Sequence, residues 1–333
     1  MRILGIETSC DETAAAVLDE GFNIQSSVVL SQDEVHAPFG GIVPELASRQ
    51  HIKSISYIVC ETLARAQIGL EDIDVVAATQ GPGLIGSLLV GLSYAKGLAY
   101  SMNIPLVPID HLESHVYSAF IENSDIAYPI LALLVSGGHT SLYSLPKSLD
   151  FHLLAKTRDD AAGEALDKIA KFLDLGYPGG PVIDRLASQG NPERFAFSLP
   201  QMSDGSLDFS FSGFKTAGLR LIKELQLNRD HTDLVDFLAG FENSVIRFLL
   251  HNLDRAVQKT APASLILCGG VARNSKLRKA FQAYAESQKL SAYIPSPSLC
   301  TDNAAMVAAL AVEKIRHGLK PGLDLSINAY PRR

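Results

Sequence analysis

Twice along this chain an apolar run breaks off into a short polar turn and then resumes: RILGIETSCDETAAAVLD at residues 2–19 and PILALLVSGGHTSLYSL at residues 129–145. Each reads as a strand, a turn and a returning strand. The two share a pattern rather than letters. The pattern predicts two halves of similar topology, each opening on a hairpin whose turn points polar groups inward. The segments after each hairpin set the class. DIDVVAATQGPG and IPLVPID in the first half, and SLILCGG in the second, are apolar runs of strand length, and segments of helical periodicity lie among them. Strands alternating with helices predict an α/β fold with mixed or parallel sheets.

The helical segments are long. IVPELASRQHIKSISYIVCETLARA (42–66) spaces its apolar residues as a helix after Pro44, a residue favoured in a first turn. LIGSLLVGLSYAKGLAYSM, GEALDKIAKFLDL (163–175), LVDFLAGFENSVIRFLLHNLDRAVQK and the stretch after SLCTDN read as helices too. At 333 residues the chain exceeds one small core and suits about two domains. The expected division is an N-terminal lobe over 1–110, a helix and polar bridge over 111–127, and a C-terminal lobe over 128–333 whose last helix returns to the first lobe.

A composition of 47% hydrophobic and 20% charged residues excludes a disordered chain. Glu7, Asp11 and Glu12 interrupt the N-terminus before any apolar run develops, which excludes a signal peptide there. LIGSLLVGLSYAKGLAY is broken by glycines and Lys96 and is short for a span of about 20 residues. The expectation is a cytoplasmic protein with no membrane association. Cys10, Cys60, Cys268 and Cys300 form no CxxC pair, so they read as buried thiols rather than a zinc site or a disulfide framework. A net charge of −7 is a poor field for holding nucleic acid. One local basic stripe, RNSKLRK at 273–279, offers either a contact for a polyanion or a solvated helix face.

Four turns are built to carry chemistry. ETSCDET, VSGGHT and CGGVARN follow apolar strands, and GPGLIGS is a further glycine turn. Such turns can aim backbone N–H groups at a phosphate. None matches a P-loop or a dinucleotide fingerprint. HLESH, residues 111–115, sets His111 and His115 one helical turn apart, where both can reach one metal ion. A zincin needs its glutamate directly after the first histidine. Glu113 stands two residues on, about 200° around the helix, so the protease mechanism is lost while a metal site is not. A third ligand is required. Asp302 is a candidate, although its place before an apolar helix also suits an N-cap. Two histidines and a carboxylate with open positions suit Fe(II) or Zn(II).

GIETSCDETAAAV, HAPFGGIVPELASRQH, GPGLIGSLLVG, HLESH, LLVSGGHT, GEALDKIAKFLDLGYPGGP, FSFSGFKTA, CGGVARN and TDNAAM stand in one order. In this the chain resembles the bacterial tRNA threonylcarbamoyltransferase family, once labelled a sialoglycoprotein endopeptidase, from Ile3 to about Met306. The resemblance implies two related lobes of the actin, sugar-kinase and heat-shock ATPase type (ASKHA) around a nucleotide cleft. It implies transfer of a threonylcarbamoyl group from threonylcarbamoyl-AMP to N6 of adenosine 37 in tRNAs that read codons beginning with A. It implies metal ligands at His111, His115 and Asp302, with one divalent metal, Fe(II) or Zn(II). Substrate contacts are implied at Leu134, Val135, Ser136, Gly137, Gly138, Asp167, Gly180, Asp184 and Asn274. Asp11 or Glu12 is expected to position the attacking amine or balance charge near the phosphate. The implied partners are tRNA, a paralogous subunit of the same fold (TsaB type) and a small P-loop ATPase (TsaE type). A metalloprotease and a small-molecule kinase or ATPase of the same fold are the alternatives.

Overall fold

Both expected hairpins form, and each grows into a sheet by the same rule. The computed structural model describes residues 1–320, 322, 324 and 328–330. β1 (Arg2–Glu7) pairs antiparallel with β2 (Glu12–Asp19), and β2 with β3 (Ile24–Ser31). On its other flank β1 takes β4 (Val75–Gly81) in parallel, and β4 takes β5 (Leu106–Asp110). The second sheet repeats this with β6 (Ile130–Val135), β7 (Thr140–Leu145), β8 (His152–Lys156), β9 (Ser264–Cys268) and β10 (Ser291–Tyr293). The orders are β3-β2-β1-β4-β5 and β10-β9-β6-β7-β8. Counted from its first strand, each sheet has the same order and the same directions. The repeat inferred from the hairpins therefore extends to whole sheets of an α/β fold.

Parallel neighbours need crossover connections, and helices supply them. Ile85–Met102 links β4 to β5, and Ser275–Gln288 links β9 to β10. Strands β6 and β9 are buried at every residue, which accounts for their unbroken apolar letters. In the first sheet Leu4, Ile6 and Val76 pack with Ile55, Ile58 and Leu92 from the covering helices.

The chain divides into two compact units, Met1–Ser124 with Pro295–Arg333, and Asp125–Ile294. In the first, helix Ala304–Arg316 lies on the sheet, and every residue from Ala304 to Val312 is buried. Its run of alanines suits that close seat, and so does Gly5 on β1: a Cβ there would stand 2.3 Å from the Ala304 carbonyl oxygen. In the second unit the long helix Leu234–Thr260 buries Phe237, Phe241 and Phe248. Phe248 meets Phe209, Phe211 and Phe214 at centroid distances of 5.7, 5.5 and 5.7 Å. Among the described residues no helix is long and apolar enough to cross a membrane.

Candidate functional site

In the first unit the parallel strands β1, β4 and β5 end side by side, so the residues just beyond each strand end are brought together. β5 ends at Asp110, whose carboxylate accepts from the amides of Leu112 and Glu113 at 2.9 and 3.1 Å. That cap starts the helix His111–Glu122 at the first histidine. His111 and His115 then share one face, with ring centroids 4.7 Å apart and edges toward faces. Asp302 meets them: its Oδ1 lies 3.1 Å from His115 Nε2 and 3.6 Å from His111 Nε2. The three donor atoms lie within 4.8 Å of one another. The capping role that the sequence also offered Asp302 falls to its neighbour. Asn303 accepts the Met306 amide at 3.0 Å and starts the last helix.

A carboxylate that sequence reasoning passed over stands behind the pair. Glu7, fully buried at the end of β1, places Oε2 3.1 Å from His111 Nδ1 and takes the Thr79 hydroxyl at 2.6 Å. A carboxylate holding Nδ1 of a metal-binding histidine fixes the ring and leaves Nε2 for the ion. Burial alone would lower the His111 pKa, but the Glu7 and Asp302 carboxylates outweigh it and raise it to about 9. Burial pushes the Glu7 carboxyl up, and the imidazolium beside it more than reverses that. The His115 Nδ1 atom is buried with no hydrogen-bonding partner among the described residues. Two imidazole Nε2 atoms and one carboxylate oxygen, backed by an acidic second layer, fit a divalent transition ion with open positions. Glu113 is not in the cluster.

The turn between β1 and β2 holds Asp11 and leads into Glu12, the first residue of β2. Asp11 is buried, and burial raises both carboxyls. Glu12 is pushed well above the ordinary range, by burial first and then by the Asp302 and Asp11 carboxylates.

In the second unit β6 and β9 run parallel, and their carboxyl ends carry the glycine turns. Leu134 and Val135 are buried in β6 itself, so they offer main chain only. The turn closes as Ser136 N–H donates to the His139 carbonyl at 2.8 Å and His139 N–H to Ser136 Oγ at 3.0 Å. A Cβ added at Gly137, Gly138, Gly180 or Gly270 would meet nothing within 4 Å. Gly269 is different: its φ is +91°, and a Cβ would stand 2.5 Å from the Val135 carbonyl oxygen.

The three polar residues expected here are held by the protein. Asp167 Oδ1 accepts the amides of Gly179 and Gly180 at 2.8 and 3.2 Å, fixing the start of helix Gly179–Ala187. Asp184 takes the amide and hydroxyl of Ser275 at 3.1 and 2.8 Å. Asn274 accepts the Leu277 amide at 2.8 Å and donates from Nδ2 to Glu242 at 2.6 Å. Glu242 was missed from the sequence. Its signal was a lone acid inside the apolar run LAGFENSVIRFLL, and burial raises its carboxyl pKa. Of the basic stripe, Arg273 and Lys279 are exposed, whereas Lys276 and Arg278 are half-buried and Arg278 donates to the Ala272 carbonyl at 3.1 Å.

Comparison with known proteins fits this arrangement. The profile of the tRNA N6-adenosine threonylcarbamoyltransferase family matches residues 23–309. The chain belongs to that family. A tRNA N6-adenosine threonylcarbamoyltransferase of Clostridium perfringens is 44% identical over 329 residues, covering 99% of this chain and 96% of its own. One of Acaryochloris marina is 47% identical over 329 residues, covering 97% and 91%. Among solved structures, a ROK hexokinase of Thermus thermophilus superposes with a TM-score of 0.52 at 14% identity, over 96% of this chain and all 100% of its own. That likeness concerns the fold, which is of the ASKHA type.

Proposed function

We propose that this protein transfers the threonylcarbamoyl group from threonylcarbamoyl-AMP to N6 of adenosine 37 in tRNAs reading codons that begin with A. The observation that carries the reading is near-complete coverage by relatives of that name at 44–47% identity. In the reaction the bond between the carbamoyl carbon and the phosphate oxygen breaks, AMP leaves, and the adenosine nitrogen takes its place on carbon and loses one proton. Backbone amides of Gly137 and Gly138 are suited to a phosphate or carbamoyl oxygen, and Ser136 closes the turn that presents them. The openings at Gly180 and Gly270 admit the nucleotide close to main chain. Asp184 and Asn274 retain lone pairs and one N–H for ribose and adenine, while Asp167 orders the Gly180 loop. Asp11 is the acceptor for the amine proton, with the Glu12 carboxyl next to it in the chain.

His111, His115 and Asp302 would hold one divalent ion, Fe(II) or Zn(II), which when bound supplies Lewis-acid polarisation of the threonylcarbamoyl group. Glu7 orients His111 for it. Such an enzyme works in the cytoplasm on tRNA. The acidic chain gains affinity for tRNA from partners, a paralogous subunit of the same fold and a small P-loop ATPase. A shallow apolar groove lined by Ile52, Ile55, Leu89, Val90 and Tyr94 supports a protein partner on the first unit. Arg273 and Lys279 are the exposed cations suited to a tRNA contact.

The test is complementation. Cells depleted of their own enzyme receive this protein or His111→Ala, and tRNA nucleosides are read by mass spectrometry. Restored threonylcarbamoyladenosine with wild type alone is expected. Restoration by both would sink the metal role, and restoration by neither, even with cognate partners, would sink the transferase reading.

A further inference from the structure

The first hairpin turn is held by groups that the function proposed above leaves unused. The Cys10 carbonyl accepts from the His51 side chain, Nε2, at 3.0 Å, and the Asp11 carbonyl accepts from the Gln32 main-chain N–H at 3.1 Å. These carbonyls lie in the two peptide units that flank the Asp11 Cα. A peptide unit is planar. Holding both planes fixes the two backbone torsions of Asp11, and with them the direction of its Cα–Cβ bond. The donors come from outside the hairpin: Gln32 follows β3, and His51 lies in helix Pro44–Ala66.

The network behind these donors has one direction. A carbonyl oxygen only accepts, so His51 carries its proton on Nε2 and Nδ1 accepts from Thr13 Oγ1 at 2.8 Å. Ser54 Oγ lies 3.0 Å from Thr13 Oγ1 but gives its own proton to the Gln50 carbonyl at 2.8 Å. On the other side the Val43 amide donates to His36 Nδ1, and His36 Nε2 donates to Gln32 Oε1, each at 3.3 Å. Both imidazoles are fully buried. Burial keeps the His51 pKa below its ordinary value, so the ring stays neutral and its donor does not reverse. Buried polar groups carry a desolvation cost that an apolar core avoids. At this turn His51 offsets that cost by donating to the Cys10 carbonyl and accepting from Thr13, and what it fixes is the peptide unit before Asp11.

We propose that His51, oriented by Thr13, is a positioning residue that holds the Cys10 carbonyl and so aims the Asp11 carboxylate in the transfer reaction; this rests on the function proposed above. The experiment is transfer by the full chain reconstituted with its partners and tRNA, with adenylate affinity measured separately. Glutamine at position 51 reaches the place of Nε2 and keeps a donor there; asparagine reaches only the place of Nδ1. His51→Asn is expected to lower kcat about 100-fold, the scale of a 1 Å misplacement, with adenylate Kd unchanged and Tm lowered, since the Cys10 carbonyl loses its donor. His51→Gln recovers most of the rate. Asp11→Ala is the control. If it transfers at the wild-type rate, the role given to Asp11 fails, whatever position 51 does. If Asp11→Ala is slow and His51→Asn is fast, the positioning inference is overturned and the transferase reading stands. Should His51→Asn not fold, Thr13→Val against Thr13→Ser decides: a slow valine variant beside a fast serine one supports the inference, and equal rates overturn it.

Discussion

In the metal-free protein, the proton on His111 answers the buried Glu7 carboxylate and the partly exposed Asp302 carboxylate. Burial alone would lower the His111 pKa, yet Glu7 and Asp302 bring it from 6.5 to about 9. A raised folded-state pKa stabilises fully below the unfolded value and is lost as pH climbs through the folded one. From 6.5 to about 9, at roughly 1.4 kcal/mol per unit, the contribution is about 3 kcal/mol. The ring is 7% exposed, so solvent screening takes little from it. Chelator-treated protein is therefore expected to lose about that much unfolding free energy in urea between roughly pH 6.5 and pH 9. Glu7→Gln isolates the pair: the gap between wild type and variant shrinks across the same window. Saturating Zn(II) flattens the trend, because metal and proton compete for Nε2: affinity rises about tenfold per pH unit until the ring has lost its proton, which offsets the roughly 1.4 kcal/mol per unit that the metal-free protein loses. A metal-free wild type whose stability is flat or rising between pH 7 and pH 9, or a gap that does not change, would refute the reasoning.

Three further outcomes are expected. Gly269→Ala forces a side chain into φ +91° and against the Val135 carbonyl, so the second unit loses about 2 kcal/mol or more, seen as a drop in Tm; an unchanged Tm would contradict the geometry. Asn303→Ala removes the cap of the last helix and costs about 1 kcal/mol, which Asn303→Ser largely restores; calorimetry of the pair checks it. Gly137→Ala meets no protein atom within 4 Å, so Tm holds while adenylate affinity falls, and a variant that binds adenylate as well as wild type removes the turn from the phosphate site.

The parts of the fold that were legible share a cause. β1, β2, β6 and β9 are buried apolar runs, and their letters say so without help. β3, β8 and β10 went unread because they are edge or near-edge strands: IQSSVVLS buries two of its eight residues, HLLAK has mixed exposure, and SAY is three residues long. Edge strands carry no continuous apolar signature. At the His111, His115 and Asp302 cluster, helical spacing was enough to pair the two histidines, whereas Asp302 is 187 residues from His115, so the residues offered it only as a candidate and the resemblance selected it. Glu7 was hidden for a related reason. A carboxylate at the end of a buried strand looks like the start of the polar turn until the strand end is seen facing His111. Asn303 beside Asp302 shows the limit of spacing rules: capping was predicted within one residue, and that one residue separates a helix cap from a metal ligand.

The two sheets share one strand order, yet their carboxyl edges work in different materials. The first unit's edge offers imidazoles and carboxylates; the second unit's offers main chain at glycines, with Gly137 and Gly138 exposed. Main-chain groups are present in every residue, so a surface made of them tolerates exchange of letters wherever the replacement stays small and the backbone path survives. A surface made of ligand atoms tolerates almost none. Drift in sequence should therefore erode the two copies unevenly. The second can change its spelling and keep its peptide groups in place, while the first loses a donor atom with a single exchange at any of three positions.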